Sequence, residues 1–193
     1  MSVFGILLRI IEILIFTYLG FASLYIFVFG FANLFSYRRS QQKDGKKRKF
    51  AVLIPGYKED TVIVDIATQA LKQTYSEELF DVVVIADSFQ AETIDKLKAL
   101  PIKLVEVVFE NSTKSKALNA AMKEIGDDYD IALILDADNV MAEDFIQKIN
   151  AAFDHGFIAV QGHRAAKNMN NNMAVLDAVS EEINNSIFRK GHR

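Results

Sequence analysis

The sequence predicts an α/β domain with a mainly parallel sheet, preceded by one N-terminal transmembrane helix. Three observations carry that expectation. From residue 50 onward, apolar runs of strand length alternate with segments of helical period. Polar and charged residues collect directly after each strand-like run. Residues 13–35 hold no charged side chain and are rich in Phe, Ile, Leu and Tyr.

The bulk properties set bounds. The chain has 193 residues, 51% of them hydrophobic, with a formal net charge of -3. About 144 residues follow position 49, enough for one modest domain. So small a charge points away from a nucleic-acid partner. The absence of cysteine excludes disulfides and thiolate metal sites. His155, His163 and His192 have no spacing that suggests a shared metal.

As a helix, residues 13–35 are about 35 Å long, enough to cross a bilayer with some tilt. A signal peptide has a shorter apolar core, and a soluble helix is rarely apolar all round for this length. Arg9 and Glu12, three apart, can pair near its start. Arg38, Arg39, Lys43, Lys46, Lys47, Arg48 and Lys49 follow, opposed only by Asp44. That run is a positive-inside signal. The expectation is a single-pass protein of the cell (plasma or inner) membrane: anchor 1–37, basic linker 38–49, and a cytoplasmic domain 50–193.

Within the domain, residues 50–54 read as a buried strand ended by Pro55-Gly56. Residues 61–73 read as a helix, with Asp60 or Thr61 near its start. Residues 82–86 make a second strand ending at Asp87. A short helix over 91–100 is stopped by Pro101, and a third strand covers 102–108. Residues 114–125 make a helix closed by Gly126. The fourth strand starts at Ile131. A helix over 143–153, a fifth strand over 157–161, and a last helix over 174–188 after the Asn-rich turn at 168–172 complete the order.

The fourth strand ends in Leu135-Asp136-Ala137-Asp138-Asn139. Two close carboxylates repel unless a positive charge lies between them, and a hard divalent cation that also grips phosphate suits that role. Asp138 or Asn139 as a simple helix cap is the plainer alternative. In a parallel sheet, the residues after each strand share one edge, where a nucleotide can lie. That edge would gather Tyr57 for a base or ribose, Asp87 to accept a base N–H, and Lys114 to neutralise a phosphate. It would also gather Asp136, Asp138, Gln161, His163 and Arg164. Packing, a turn or a solvated helix start explains each residue alone. Their coincidence on one edge carries the functional reading.

Ile54-Pro-Gly-Tyr-Lys-Glu59, the strand ending in Asp87, Lys114-Ser-Lys-Ala-Leu-Asn119 and Leu135-Asp-Ala-Asp138 stand in order. With Val160-Gln-Gly-His-Arg164 and the Asn-rich turn, they resemble the membrane-anchored family 2 glycosyltransferases, the group that includes cellulose, chitin and hyaluronan synthases. The resemblance runs from residue 50 to the C-terminus. It implies a GT-A fold, a Rossmann-like nucleotide-diphospho-sugar transferase sheet. It also implies a nucleotide-sugar donor, most often a UDP-sugar, Mg²⁺ or Mn²⁺, and a glycan or other hydroxyl acceptor. By resemblance, Pro55, Tyr57 and Glu59 line the nucleoside pocket and Asp87 holds the base. Lys114 lies near the base or diphosphate. Asp136 sits by the ribose and donor sugar, and Asp138 ligates the metal. The implied chemistry is inverting transfer, with attack of an acceptor hydroxyl on the anomeric carbon.

Two departures stand out. Thr113 replaces a residue that is often Gly in the family. The later acidic motif that carries the family's general base and the Gln-x-x-Arg-Trp motif do not follow, and the sequence has no Trp. Glu181-Glu182 comes too early, in a helix. The expectation is therefore a donor-binding front half that transfers sugar poorly or not at all alone. A separate C-terminal half or membrane subunit would complete it; otherwise the chain is a tethered nucleotide-sugar binder. Leu133-Ile-Leu-Asp-Ala-Asp-Asn-Val140 also fits the nucleophile motif of haloacid-dehalogenase-type phosphatases, with Asp136 as nucleophile and Asp138 as acid/base. There the motif stands near the start of the domain, whereas several strands precede it here.

Overall fold

Strand β1 (Phe50–Tyr57) lies inside a four-stranded sheet, with β2 (Phe80–Asp87) on one side and β4 (Ile131–Ile134) on the other. Strand β3 (Lys103–Val107) flanks β2, so the order is β3-β2-β1-β4 and every pairing is parallel. The chain builds outward from β1 to β3, then returns to lay β4 on the far side of β1. The β1/β4 boundary is thus the topological switch point, beyond whose carboxyl ends ligands of such sheets bind. The computed structural model describes residues 3–32, 45–166 and 170–185. Arg38, Arg39 and Lys43 of the basic run, Asn168 of the turn, and residues 186–193, with Phe188 and His192, lie outside the described residues.

Both faces of the sheet are covered, which explains why its strands read as apolar runs. Side chains alternate between faces along β1. Phe50, Val52 and Ile54 join Val82, Val84 and Leu133 against α2 (Ile63–Ala70), α3 (Ala91–Lys98) and α5 (Phe145–Phe153), through Ile63, Ile66, Leu97, Ile146 and Ile149. Ala51 and Leu53 join Val83, Ile85 and Val105 against α4 (Lys114–Ile125), through Ala117 and Ala121. These small residues let α4 lie close to the sheet.

Most expected elements form, several with shifted ends. Helix α4 keeps its expected bounds, capped by the Thr113 side chain, which accepts from the Lys116 amide at 3.3 Å, and closed by Gly126 at φ 72°. Strand β1 runs on through Pro55 and Gly56. Pairing with β4 ends at Leu53↔Ile134, so no ladder bond on that side is lost at Pro55, while the β2 side continues to Tyr57↔Asp87. Helix α2 stops at Ala70, short of the expected Gln73. Gln73 Oε1 instead accepts from the Ile146 amide at 3.2 Å, and the Thr74 amide donates to the Glu143 carbonyl at 2.8 Å. Those bonds tie α2 to the start of α5 and move that helix's start to Phe145.

The expected fifth strand does not form. Residues 157–160 are in irregular backbone and not in a strand, and the Ile158 side chain is fully exposed. A short apolar run pairs only where a strand edge meets it in register, which the run itself does not encode. Gln161, His163 and Arg164 therefore do not follow a strand.

Residues 45–160 form one compact unit; residues 3–32, 161–166 and 170–185 fall in a second. Part of the basic linker belongs to the first. Arg48 donates to Asp154 at 2.7 Å and to the Asn150 side chain at 3.3 Å. Its backbone exchanges two hydrogen bonds with the Tyr75 hydroxyl, at 3.0 and 2.9 Å. Asp130 accepts from the Lys49 amide at 2.8 Å and from Lys46 at 3.4 Å. The Lys49 amide bond, with the Lys46 charge, holds the Asp130 carboxyl below its ordinary pKa.

In the second unit, helix α1 (Val3–Ala32) is 30 residues long, or about 45 Å. It is long and apolar enough to cross a bilayer, and it starts earlier than residue 13. Arg9 and Glu12 pair at 3.2 Å, as their spacing predicts. Helix α6 (Asn172–Asn184) begins on the Asn171 side chain, which accepts from the Ala174 amide. His163 Nε2 lies 3.0 Å from Glu182 and 3.2 Å from the Asn185 amide nitrogen.

Candidate donor site

Two left-handed residues shape the carboxyl edge of the sheet. Tyr57 and Asp87 are register partners at the ends of β1 and β2, and each is followed by a non-glycine residue at positive φ: Lys58 at 54° and Ser88 at 58°. Such a residue costs roughly 1–3 kcal/mol and persists where its surroundings fix it. Here the Lys58 amide donates to the Asp87 carbonyl at 3.1 Å, and the Ser88 amide to the Val107 carbonyl at 3.3 Å. The chain leaves both strands sharply, and the ends of Tyr57 and Asp87 stay open to one pocket.

That pocket has a volume of about 160 Å³. Pro55, Gly56, Tyr57 and Asp87 line it from the strands, and Ser112, Thr113, Lys114 and Ala117 from the start of α4. Gly56 lies close to Phe89: a Cβ there would stand 2.6 Å from the ring, so the ring would have to shift. The Asp87 carboxylate is buried, at 2% exposure, and accepts the Ser88 hydroxyl at 2.9 Å. Half of the Tyr57 ring stays exposed, with the Lys58 ammonium 5.1 Å from its centroid. The amino end of α4 lines the pocket and brings to it the positive end of the helix dipole, a setting that favours anions.

Lys114, the first residue of α4, reaches across to Asp136 past the end of β4 and pairs with its carboxylate. Asp136 opens a turn in which the Asn139 amide donates to its carbonyl at 3.0 Å and the Asn139 side chain reaches its carboxylate at 3.4 Å. Asp138 is exposed on that turn. Among the described residues, no three His, Asp or Glu side chains gather to hold a metal by themselves. The donor set of Asp136 and Asp138 fits a hard cation that takes its other ligands from water and phosphate, the usual manner of Mg²⁺ at nucleotides.

The structure thus brings four expected residues, Pro55, Tyr57, Asp87 and Lys114, to one pocket, with Asp136 joined through Lys114. Glu59 is not among the lining residues; its carbonyl accepts from the Val62 and Ile63 amides. Its neighbour Asp60 holds the start of α3 instead of α2, accepting from the Gln90 amide at 2.9 Å. Hydrogen bonds from the Thr93 side chain and the Gln90 amide keep the Asp60 carboxyl below its usual pKa. Ser112 and Ala117 were not singled out from sequence. Ala117 carried a usable signal, as a small residue one turn after Lys114 on the same helix face.

A parallel α/β sheet in this order, with its pocket at the carboxyl edge, defines a Rossmann-like domain, the class to which GT-A folds belong. Residues 47–189 match the model of the family described as glycosyltransferase like family 2, and the chain belongs to that family. The match sets the dehalogenase-type reading aside. No curated protein matches the sequence. Among solved structures, the chain is similar to the mannosyltransferase PcManGT from Pyrobaculum calidifontis in complex with GDP-Man and Mn²⁺. The identity is 22% and the TM-score 0.53, over 64% of this chain and 37% of that one. It is also similar to S. aureus TarS, at 20% identity and TM-score 0.48, over 62% of this chain and 24% of that one. The chain thus spans well under half the length of these structures.

Proposed function

We propose that this chain provides the donor-binding part of a metal-dependent, inverting glycosyltransferase that takes a nucleotide-sugar and is anchored to a membrane by α1. The observation that carries the reading is the pocket joining Tyr57 and Asp87 to the amino end of α4, with Lys114 bridging to Asp136. That arrangement sets an aromatic face and a buried acceptor beside an anion-favouring helix end. These are the needs of a nucleoside and its diphosphate.

In this reading, Pro55 and Tyr57 bound the nucleoside, with Glu59 beside them, and Asp87 accepts a base N–H. Lys114 and the α4 amides neutralise the diphosphate as it leaves the anomeric carbon. Asp136 lies by the ribose and donor sugar, and Asp138 would hold Mg²⁺ or Mn²⁺. When bound, the cation supplies further charge neutralisation to the leaving group. The neighbouring mannosyltransferase, with its GDP-Man and Mn²⁺, supports a donor-and-metal site on this fold.

Calorimetric titration of the detergent-solubilised chain with UDP, with and without Mn²⁺, tests the reading. Binding that requires Mn²⁺ and disappears in Asp138→Ala is expected. A folded wild-type chain that binds no nucleoside diphosphate would sink it. Retention in the membrane fraction after alkaline carbonate wash, lost on deletion of residues 1–32, tests the anchor.

A further inference from the structure

Helix α6 carries its large apolar side chains outward. We infer that this side lies in the surface of a lipid bilayer, with the helix parallel to the membrane plane, so that the chain meets lipid at a second place besides α1. This rests on the anchor reading of α1 and goes beyond it.

Met173, Val175, Leu176, Val179 and Ile183 fall within about 160° of the α6 circumference. Within that arc the only polar residues of the helix are Asn172 and Ser180. The five apolar side chains are between 43% and 68% exposed. The opposite side, with Ala174, Ala178, Glu181 and Asn185, is the more covered one. Polar contacts fix that orientation. Asn185, at 1% exposure, donates to the Arg164 carbonyl at 2.9 Å and lies 3.2 Å from His163 Nε2. Glu182 lies 3.0 Å from the same nitrogen. A helix on a water-facing surface does the reverse, turning its apolar side inward.

Two features select a bilayer over a protein partner. A single partner helix needs only a narrow apolar seam. This arc spans nearly half the circumference and suits a broad surface, as the apolar side of an interfacial helix does. Helix α6 also falls in the same compact unit as α1. Helix α1 has no buried residue and is long and apolar enough to cross a bilayer. The bilayer that takes up α1 is therefore within reach of α6. Helix α6 holds Asp177, Glu181 and Glu182 and no Lys or Arg. Apolar burial, and not attraction to anionic headgroups, is what draws it into the surface.

The chain has no cysteine, so single labels report single positions. Leu176→Cys, Ile183→Cys and Asp177→Cys, with Leu14→Cys in α1 as reference, are each labelled with a nitroxide. The full chain is then reconstituted into phosphatidylcholine vesicles. Accessibility to oxygen, which partitions into lipid, is compared with accessibility to a water-soluble nickel chelate. Thermal unfolding verifies that each variant is folded, and Val179→Cys replaces either apolar variant that is not. Oxygen is expected to dominate at positions 14, 176 and 183. The oxygen-to-nickel ratio at 176 and 183 should exceed that at 177 by about fivefold. Nickel dominating at 176 and 183, with position 14 in lipid, would overturn the proposal and leave the anchor standing. Low accessibility to both reagents at 176 and 183 would put a protein on that side, a second copy or another chain, and would overturn it too. Position 14 in water would overturn the anchor as well.

Discussion

The Lys114 ammonium rests on the Asp136 carboxylate, joining the first residue of α4 to the turn beyond β4. In the donor-site reading, this cation neutralises the diphosphate, so part of its charge is already committed before a ligand arrives. Lys114→Met should weaken UDP binding about tenfold, the order of one charged hydrogen bond. The loss should shrink as salt rises, because both side chains are partly exposed. An unchanged affinity at low salt would remove Lys114 from the site.

Asp138 offers a clean separation of stability from binding. It is exposed on its turn, so Asp138→Ala should change folding stability by no more than about 0.5 kcal/mol. Asp136→Asn also disturbs the Lys114 pair and should lower the melting temperature more. Thermal unfolding of both variants beside Mn²⁺-dependent UDP titration checks this. Asp138→Ala retaining full Mn²⁺ dependence would move the metal elsewhere.

Gly56 and Phe89 occupy one space. Since a Cβ at residue 56 would meet the ring at 2.6 Å, Gly56→Ala should destabilise by about 1–3 kcal/mol, as overpacking does. Adding Phe89→Leu should recover part of that loss. Urea unfolding of the single and double variants measures the coupling, and strictly additive losses would contradict the shared contact.

The amino edge of the sheet is held by charge. The Tyr129 hydroxyl donates to Asp81 at 2.6 Å and accepts from Lys103 at 2.6 Å, with Lys103 and Asp81 3.3 Å apart. Burial pushes the Asp81 carboxyl up, but the Tyr129 and Lys103 hydrogen bonds outweigh it and leave its pKa lowered. The Tyr129 hydrogen bond raises Lys103, while burial and the Asp81 bond raise Tyr129. A lowered acid contributes stability above its unfolded pKa of about 4 and loses it as pH falls through the folded value. The raised groups contribute below about pH 10 and lose it as pH rises through theirs. Tyr129→Phe should therefore cost about 1–2 kcal/mol near neutrality, with the difference narrowing at both extremes. Urea midpoints measured across pH would show this; a pH-independent difference would assign the loss to packing alone.

Much of this architecture was legible in the chain. Helix α4 announced its bounds in the sequence, with Gly126 as stop, because a C-terminal Gly is local chemistry; the Thr113 cap emerged only in the structure. The same cap accounts for Thr113 where the family often has Gly. Asp87, Lys114 and Asp136 could be placed on one edge because each follows or opens an element whose period was clear. The illegible parts involve partners distant in sequence. Pro55 sits inside β1 because β4 ends early, Gln73 leaves α2 to hold α5, and Arg48 leaves its linker for Asp154.

The sequence alone determined the parallel α/β class, the apolar α1 and the set of chemical groups at the strand ends, since periodicity, capping and charge are properties of neighbouring residues. Only the tertiary structure decided the strand order with its switch point beside β1, the absence of a strand at 157–160, and the contacts of Lys114 with Asp136 and of Gly56 with Phe89. Those depend on which distant segments finally meet, and no local preference encodes that.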